Sequence, residues 1–426
     1  MENQRLSKLF YTNTKALKAG LLGFALLATS ACDQPKTTNA ASILGNPDYQ
    51  AIAYGGYRNV DRSQAPSMAE LKEDLKILHA MGIRVLRTYH ARLYEHTPRL
   101  LAAISEMKSE DPNFEMYVML GAWIQCEGAW TDNPQHLKGD LKENKAEIDQ
   151  AIRLAQQYPD IVKIIAVGNE SMVHWAASYH VHPRIVLKWV QRLQGLKAEG
   201  ILGDDLWITS SDNFASWGGE GPEYHVPALD SLIAAVDYLS VHSYPFHDSH
   251  YNPQWWQLEA SADSLKNDSL INAAIQKALD RVQSQLTAVA HYVESLGLDK
   301  EIHIGESGWA SGDNHLYGDK GSHAADEYKQ MLYYQGLRKM ADSLGMSCFY
   351  FEAFDEPWKD GQNPAGSENH FGLFTVEGQA KMPIWNLVDQ GLFEGLSRAG
   401  NPIRKSHQGN GESLRDSALI PPYKSR

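Results

Sequence analysis

Residues 164–170 read Ile-Ile-Ala-Val-Gly-Asn-Glu. Four apolar residues run without a break, and the run ends in an amide and a carboxylate. Such a run suits a strand buried on both faces. The carboxylate at its tip calls for partners, because an unpaired buried charge costs several kcal/mol. This one segment therefore implies both a parallel sheet and a polar site at its edge.

Seven further runs have the same character: 51–57, 85–90, 116–123, 206–213, 238–244, 302–309 and 348–354. Segments with apolar residues three and four apart separate many of them. Residues 68–81 read MAELKEDLKILHAM, and 141–158, 183–199, 270–296 and 326–344 behave similarly. Eight strands interleaved with helices in one continuous stretch, 48–396, predict a (β/α)8 barrel. A doubly wound nucleotide-binding sheet is disfavoured. Tyr54-Gly55-Gly56-Tyr57 follows the first strand without the Gly-x-Gly-x-x-Gly helix start that such a sheet needs.

A barrel carries its chemistry at the C-terminal ends of its strands. Those ends supply Arg87 and Tyr89 on the second strand, and Asn169 and Glu170 on the fourth. The sixth supplies His242 and Tyr244, and the seventh Glu306. The eighth supplies Glu352, Asp355, Glu356 and Lys359. Strands four and seven lie nearly opposite in an eight-membered ring, so Glu170 and Glu306 can face each other across the mouth. Two facing carboxylates, one protonated and one ionised, are the pair that glycoside hydrolysis requires. Arg87 and Tyr244 are suited to keep one of them ionised.

Four segments, VGNE (167–170), SYPF (243–246), GESGW (305–309) and FDEPWK (354–359), resemble the signature segments of glycoside hydrolase family 17. The likeness covers about residues 50–390. It implies a retaining hydrolase acting on β-1,3-glucans, with Glu170 as acid/base and Glu306 as nucleophile. Asn169 would then bind the sugar 2-hydroxyl and Tyr244 the nucleophile, with Glu356 and Lys359 on the rim. Tyr54, Arg87 and Tyr89 are further substrate-side candidates. Trp309, three residues after Glu306, is the leading candidate for sugar stacking among Trp123, Trp130, Trp217, Trp255, Trp256, Trp309 and Trp358. The loops 121–130 and 242–256 do not match the plant enzymes of that family. Two alternatives stand beside endo-hydrolysis: a β-1,3-glucanosyltransferase using the same glutamates, and a non-catalytic β-glucan-binding lipoprotein.

The chain of 426 residues has a net charge of −13, which excludes nucleic acid as a natural partner. No cofactor is expected. His242, His247 and His250 with Asp248 lack the helical spacing of a zinc site, so no metal is expected either. Nothing in the pattern calls for an oligomer, and a monomer is expected. Residues 1–31 read as a signal peptide: Arg5, Lys8, Lys15 and Lys18 precede a short apolar run, and the segment closes with Ala28-Thr29-Ser30-Ala31-Cys32. That ending resembles a bacterial lipoprotein cleavage site, which makes Cys32 the lipidated residue and a membrane the protein's anchor. Asp33 resembles an inner-membrane retention signal. Residues 32–47 are expected to form a flexible tether and 397–426 a polar surface tail. Cys126 and Cys348, on different strand segments, are expected to be separate buried thiols.

Overall fold

The computed structural model describes residues 38–259 and 266–424. Eight parallel strands close into a barrel. They are β1 (Gln50–Ala53), β2 (Ile83–Arg87), β3 (Tyr117–Ala122), β4 (Val162–Asn169), β5 (Trp207–Asn213), β6 (Leu239–His242), β7 (Ile302–Gly308) and β8 (Cys348–Phe351). Each strand pairs with its sequence neighbours, and β8 closes on β1 through Ala51 opposite Phe349. The barrel is the one the apolar runs predict.

Helices α1 (Met68–Ala80), α2 (His96–Glu110), α3 (Leu141–Gln157), α4 (Pro183–Ala198), α5 (Pro227–Ala235), α6 (Asn267–Ser295) and α7 (Glu327–Leu344) flank it. Their ends follow local chemistry. Ser67 and Glu70 form a capping box at the start of α1, and Gly345 ends α7 in the left-handed conformation. Two helices lie outside the helical segments read from the sequence, although α2 buries Leu100, Leu101, Ile104 and Met107 at helical spacing. α5 has nine residues, too few to show a clear period. α2 begins directly after Tyr94 and Glu95, both at positive φ, and carries Pro98 in its first turn.

The fold claims more of the chain than expected at both ends. Within the expected tether, Ala40–Ile43 form a helical turn. Ala40, Ile43 and Leu44 are buried against Ala51, Val85, Tyr117 and Phe349. These are early strand residues, so the segment closes the N-terminal end of the barrel. Gly45 allows the close approach, since a Cβ there would lie 2.4 Å from the Gly345 carbonyl oxygen.

The expected polar tail is also packed. Residues 397–402 form a hairpin, Gly411–Ser417 a helix, and Lys424 N–H donates to the Leu258 carbonyl at 2.9 Å. Arg398 is fully buried. Its guanidinium donates to both oxygens of the buried Asp74, at 2.9 and 3.1 Å, and lies 4.1 Å from the Phe354 ring centroid. Asp74 also accepts from Arg58 and from the Tyr54 hydroxyl. Cys126 and Cys348 are free and buried, as expected.

Removing Arg398 takes two hydrogen bonds from buried Asp74 and leaves it Arg58 and Tyr54. Arg398→Ala is therefore expected to destabilise the protein by about 3–5 kcal/mol, read from the urea unfolding midpoint. A variant as stable as the wild type would mean that the C-terminal segment contributes nothing to the fold.

Candidate active site

Strand pairing brings the polar tips together. His242 on β6 pairs with Glu306 on β7, and Asn169 on β4 with Ser211 on β5. Glu306 is buried. Arg87 Nη1 donates to its Oε1, and the Tyr244 hydroxyl donates to its Oε2 at 2.8 Å. Burial alone would push the Glu306 carboxyl up. His242, the Arg87 guanidinium and the hydrogen bonds from Arg87 and Tyr244 outweigh it and hold the group down to about 2. Glu306 is thus an anion throughout the working pH range.

Arg87 links the strands. Besides Glu306, it donates through Nη2 to the Asn169 Oδ1 at 2.6 Å, and its guanidinium lies 4.7 Å from the Tyr89 ring centroid. The Tyr89 hydroxyl is buried; burial and the charge of Glu306 keep its proton on, well above the ordinary phenol range.

Glu170 stands in a different setting. Gly168 at φ +85° and a register shift between Ala166 and Asn169 turn the end of β4, and Glu170 itself sits at φ +45°. A non-glycine residue in the left-handed region carries strain that its surroundings must hold. Here its N–H donates to the Ser211 carbonyl at 3.0 Å. Its carboxylate remains partly open to the groove and accepts from His242 Nδ1 at 3.1 Å. The same nitrogen lies 3.6 Å from Glu306 Oε2. The other ring nitrogen, Nε2, faces the Ser211 hydroxyl at 2.8 Å. Behind Glu170, buried Asp212 accepts from Met172 N–H and the Ser216 hydroxyl; burial pushes its carboxyl up to about 6 against those hydrogen bonds.

The eighth strand supplies a second charged group. Lys359 Nζ donates to Glu352 at 2.6 Å, lies 3.4 Å from Glu356, and sits 3.9 Å from the Phe351 ring centroid. Glu356 accepts from Tyr57 N–H at 2.9 Å, so it braces the loop after β1 as well as lining the groove. Burial, opposed by Lys359, raises the Glu352 carboxyl well above the usual range. Asp355 is a structural carboxylate, paired with Lys381 at 2.6 Å.

These groups lie in a groove of about 1680 Å³ that contains Glu170, Glu306, Asn169, Tyr89, Tyr244, Glu356 and Lys359. Three candidates depart from the expectation. Arg87 is fully buried and does not line the groove, so it meets Glu306 and Asn169 and not the substrate. Trp309 is fully buried, donates to the Ala324 carbonyl at 2.8 Å, and packs on Phe246 and Tyr333. Three residues along a strand is an odd step, so its side chain leaves the face that carries Glu306. It belongs to the core and offers no sugar platform. Tyr54 borders the groove, but its hydroxyl is turned into the Asp74 cluster, which makes it wall. Trp217 and Trp256 are likewise buried, whereas Trp123, Trp130 and Trp358 line the groove.

The sequence pattern placed His242 at the end of the sixth strand without linking it to the glutamates, from which it lies 3.1 and 3.6 Å. The signal was present: His242 and Tyr244 are two residues apart, so they share a strand face. Trp175, exposed in the loop after β4, was also passed over. Cys32 lies outside the described residues. Among those residues no cluster of His, Cys, Asp or Glu has the arrangement of a metal site.

Comparison with known proteins agrees with this geometry. The model of the BtgE/BtgC glycoside hydrolase domain matches residues 51–372. A solved endo-laminarinase from Formosa Hel1_33_131 is 58% identical, with a TM-score of 0.90 over 91% of this chain and 99% of that one. A glucan 1,3-beta-glucosidase from Arthroderma benhamiae is 27% identical over 75% of this chain and 85% of its own length. A glycoside hydrolase family 17 beta-1,3-glucanosyltransferase from Rhizomucor miehei, 18% identical, shares the fold with a TM-score of 0.53 over 77% of this chain and 94% of that one. With two unlike glutamates facing one groove, and with three quarters of its sequence matched by one family model, the chain belongs to the BtgE/BtgC glycoside hydrolase domain family.

Proposed function

We propose that the protein is an endo-acting, retaining β-1,3-glucan hydrolase in which Glu306 is the nucleophile and Glu170 the acid/base. The observation that carries the role assignment is the inequality of the two glutamates. Glu306 is buried and held ionised by His242, Arg87 and Tyr244 together, whereas Glu170 is partly open and shares His242 with it but meets neither Arg87 nor Tyr244. The choice of β-1,3-glucan rests on the likeness to the endo-laminarinase.

In the first step Glu170 gives its proton to the glycosidic oxygen while a Glu306 oxygen attacks the anomeric carbon. The leaving sugar departs with that proton, and a glycosyl ester forms on Glu306. In the second step the Glu170 carboxylate takes a proton from water, whose oxygen attacks the same carbon and frees Glu306. Inversion at each step returns the original configuration. One nitrogen, His242 Nδ1, lies 3.1 Å from Glu170 and 3.6 Å from Glu306. Two carboxylates sharing a neighbour at these ranges are close together. This supports the separation of about 5–5.5 Å typical of retaining pairs over the 6.5–9.5 Å, roughly, of inverting ones. Asn169, its oxygen engaged by Arg87, has its amide N–H groups to offer the 2-hydroxyl of the bound sugar.

The deciding experiment is product analysis on laminari-oligosaccharides. Only shorter products are expected from the wild type. Longer ones would make the protein a glucanosyltransferase, and none would make it a binding protein. Glu170→Ala is expected to be slow and to recover with added azide, releasing a β-glucosyl azide. An α-azide would overturn retention.

The pH behaviour of stability follows from the low folded-state value of Glu306. Its ordinary value is 4.5 and its folded value about 2. A depressed carboxyl contributes stability that is fully present above the ordinary value and is lost as pH falls through the folded one. The stability gap between wild type and Glu306→Gln is therefore expected to be constant above about pH 5 and to narrow towards pH 2. A gap that widens on acidification would contradict the ion pairing.

We also propose that Cys32 carries lipid and anchors the enzyme to a bacterial membrane. The support is the sequence pattern of residues 1–32. Labelled palmitate is expected to enter the wild type and not Cys32→Ser, and label retained in that variant would sink the proposal.

A further inference from the structure

Loop 121–130 builds an aromatic ledge. It continues from β3 into a hairpin, Cys126–Glu127 against Gln135–Gly139. Tyr179, Trp123 and Trp130 lie together along it. Tyr179 and Trp130 are stacked with centroids 5.0 Å apart and planes at 28°. Trp123 lies 4.9 Å from Tyr179, and 6.5 Å from Trp130 with planes at 22°. Tyr179 lines the same groove as Glu170 and Glu306. All three rings line the groove, and Trp130, 62% exposed, forms the most open part.

Much structure is spent holding these rings. Trp130 sits at φ +66°, and its N–H donates to the Ser178 carbonyl at 2.9 Å. Cys126 N–H donates to the Tyr179 carbonyl at 3.1 Å, and His182 N–H to the His136 carbonyl at 2.9 Å, lacing the hairpin to the loop after β4. From α3, buried Glu147 accepts the N–H groups of Ala91 and Trp123, and Asn144 makes two hydrogen bonds to the Gln125 backbone. An exposed tryptophan in a left-handed conformation brings no core packing and costs strain. Its geometry makes sense as a fixed apolar face in a groove.

We propose that Trp130, with Trp123 and Tyr179, is a chain-binding platform on which sugar units of a β-1,3-glucan stack away from the bond being cut. Glucopyranose rings offer apolar C–H faces of matching size, and the ledge is continuous with the catalytic groove. This rests on the substrate reading above. The platform makes turnover depend on chain length: long glucans reach it, and the shortest cleavable oligosaccharides do not.

The test compares wild type, Trp130→Ala and Trp130→Phe on laminarin and on a series of laminari-oligosaccharides. An aromatic contact of about 1.4 kcal/mol corresponds to about tenfold in affinity. Trp130→Ala is expected to lose about tenfold more kcat/KM on laminarin than on the shortest cleaved oligosaccharide, chiefly through KM. Trp130→Phe is expected to recover most of that difference. Equal losses at every chain length, or no loss, would overturn the platform while leaving the hydrolase reading intact. A wild type that cleaves no β-1,3-glucan would overturn both.

Discussion

The active-site end of the barrel depends on one buried cation. Arg87 sits at the end of β2, fully enclosed, and donates to Glu306 on β7 and Asn169 on β4. A guanidinium out of water is tolerable only when its charge meets good acceptors, which Nη1 and Nη2 find here while Nε has no partner. That requirement works in both directions. It fixes Arg87, and it fixes the carboxylate and amide that must meet it. His242 and Tyr244 complete the shell around Glu306 from β6. Four of the eight strands thus have their polar ends in register because one charge has to be satisfied.

This shell explains why two residues of the same type can take different roles. Glu306 receives two charge-bearing or hydroxyl donors and the field of an imidazole, so its ionised form is favoured despite burial. Glu170 is lifted out of the strand by the turn at Gly168 and points toward the open groove. An acid/base catalyst must change state twice per cycle, whereas a nucleophile must remain ready to attack. Backbone strain at Glu170 and ion pairing at Glu306 produce these two settings from one amino acid.

The fold was legible because both-face burial writes long apolar runs, and all eight strands overlap them, although those at Gln50, Ile83 and Val162 begin one or two residues earlier. The glutamates were legible for a related reason, as charges where the runs stop. Alternation decided the rest. Ser307 and Trp309 share one parity on β7, and both meet the outer layer, Ser307 through the Tyr333 hydroxyl and Trp309 through its ring. Counting two rather than three from Glu306 would have excluded Trp309 as a stacking residue. The same count links His242 to Tyr244. The terminal segments were illegible by composition: a few buried side chains, Ile43, Leu44, Arg398 and Ile403, anchor stretches that are otherwise polar. One fully buried arginine outweighs many exposed polar residues in tying a segment down, and no average over the segment records it.

Loops above the barrel obey a further constraint. Their backbone groups have no sheet to pair with, so they must be satisfied by side chains or by each other. Glu147 and Asn144 on α3 meet this need for the segments after β2 and β3. Two polar residues on a helix would ordinarily mark its solvent face, yet both are buried. They point upward into the loops, not inward to the core. Periodicity cannot reveal that, because the partner is an irregular backbone whose path depends on the same bonds. The shape of the groove therefore resides in long-range hydrogen bonds, while the barrel and its reacting pair reside in local pattern.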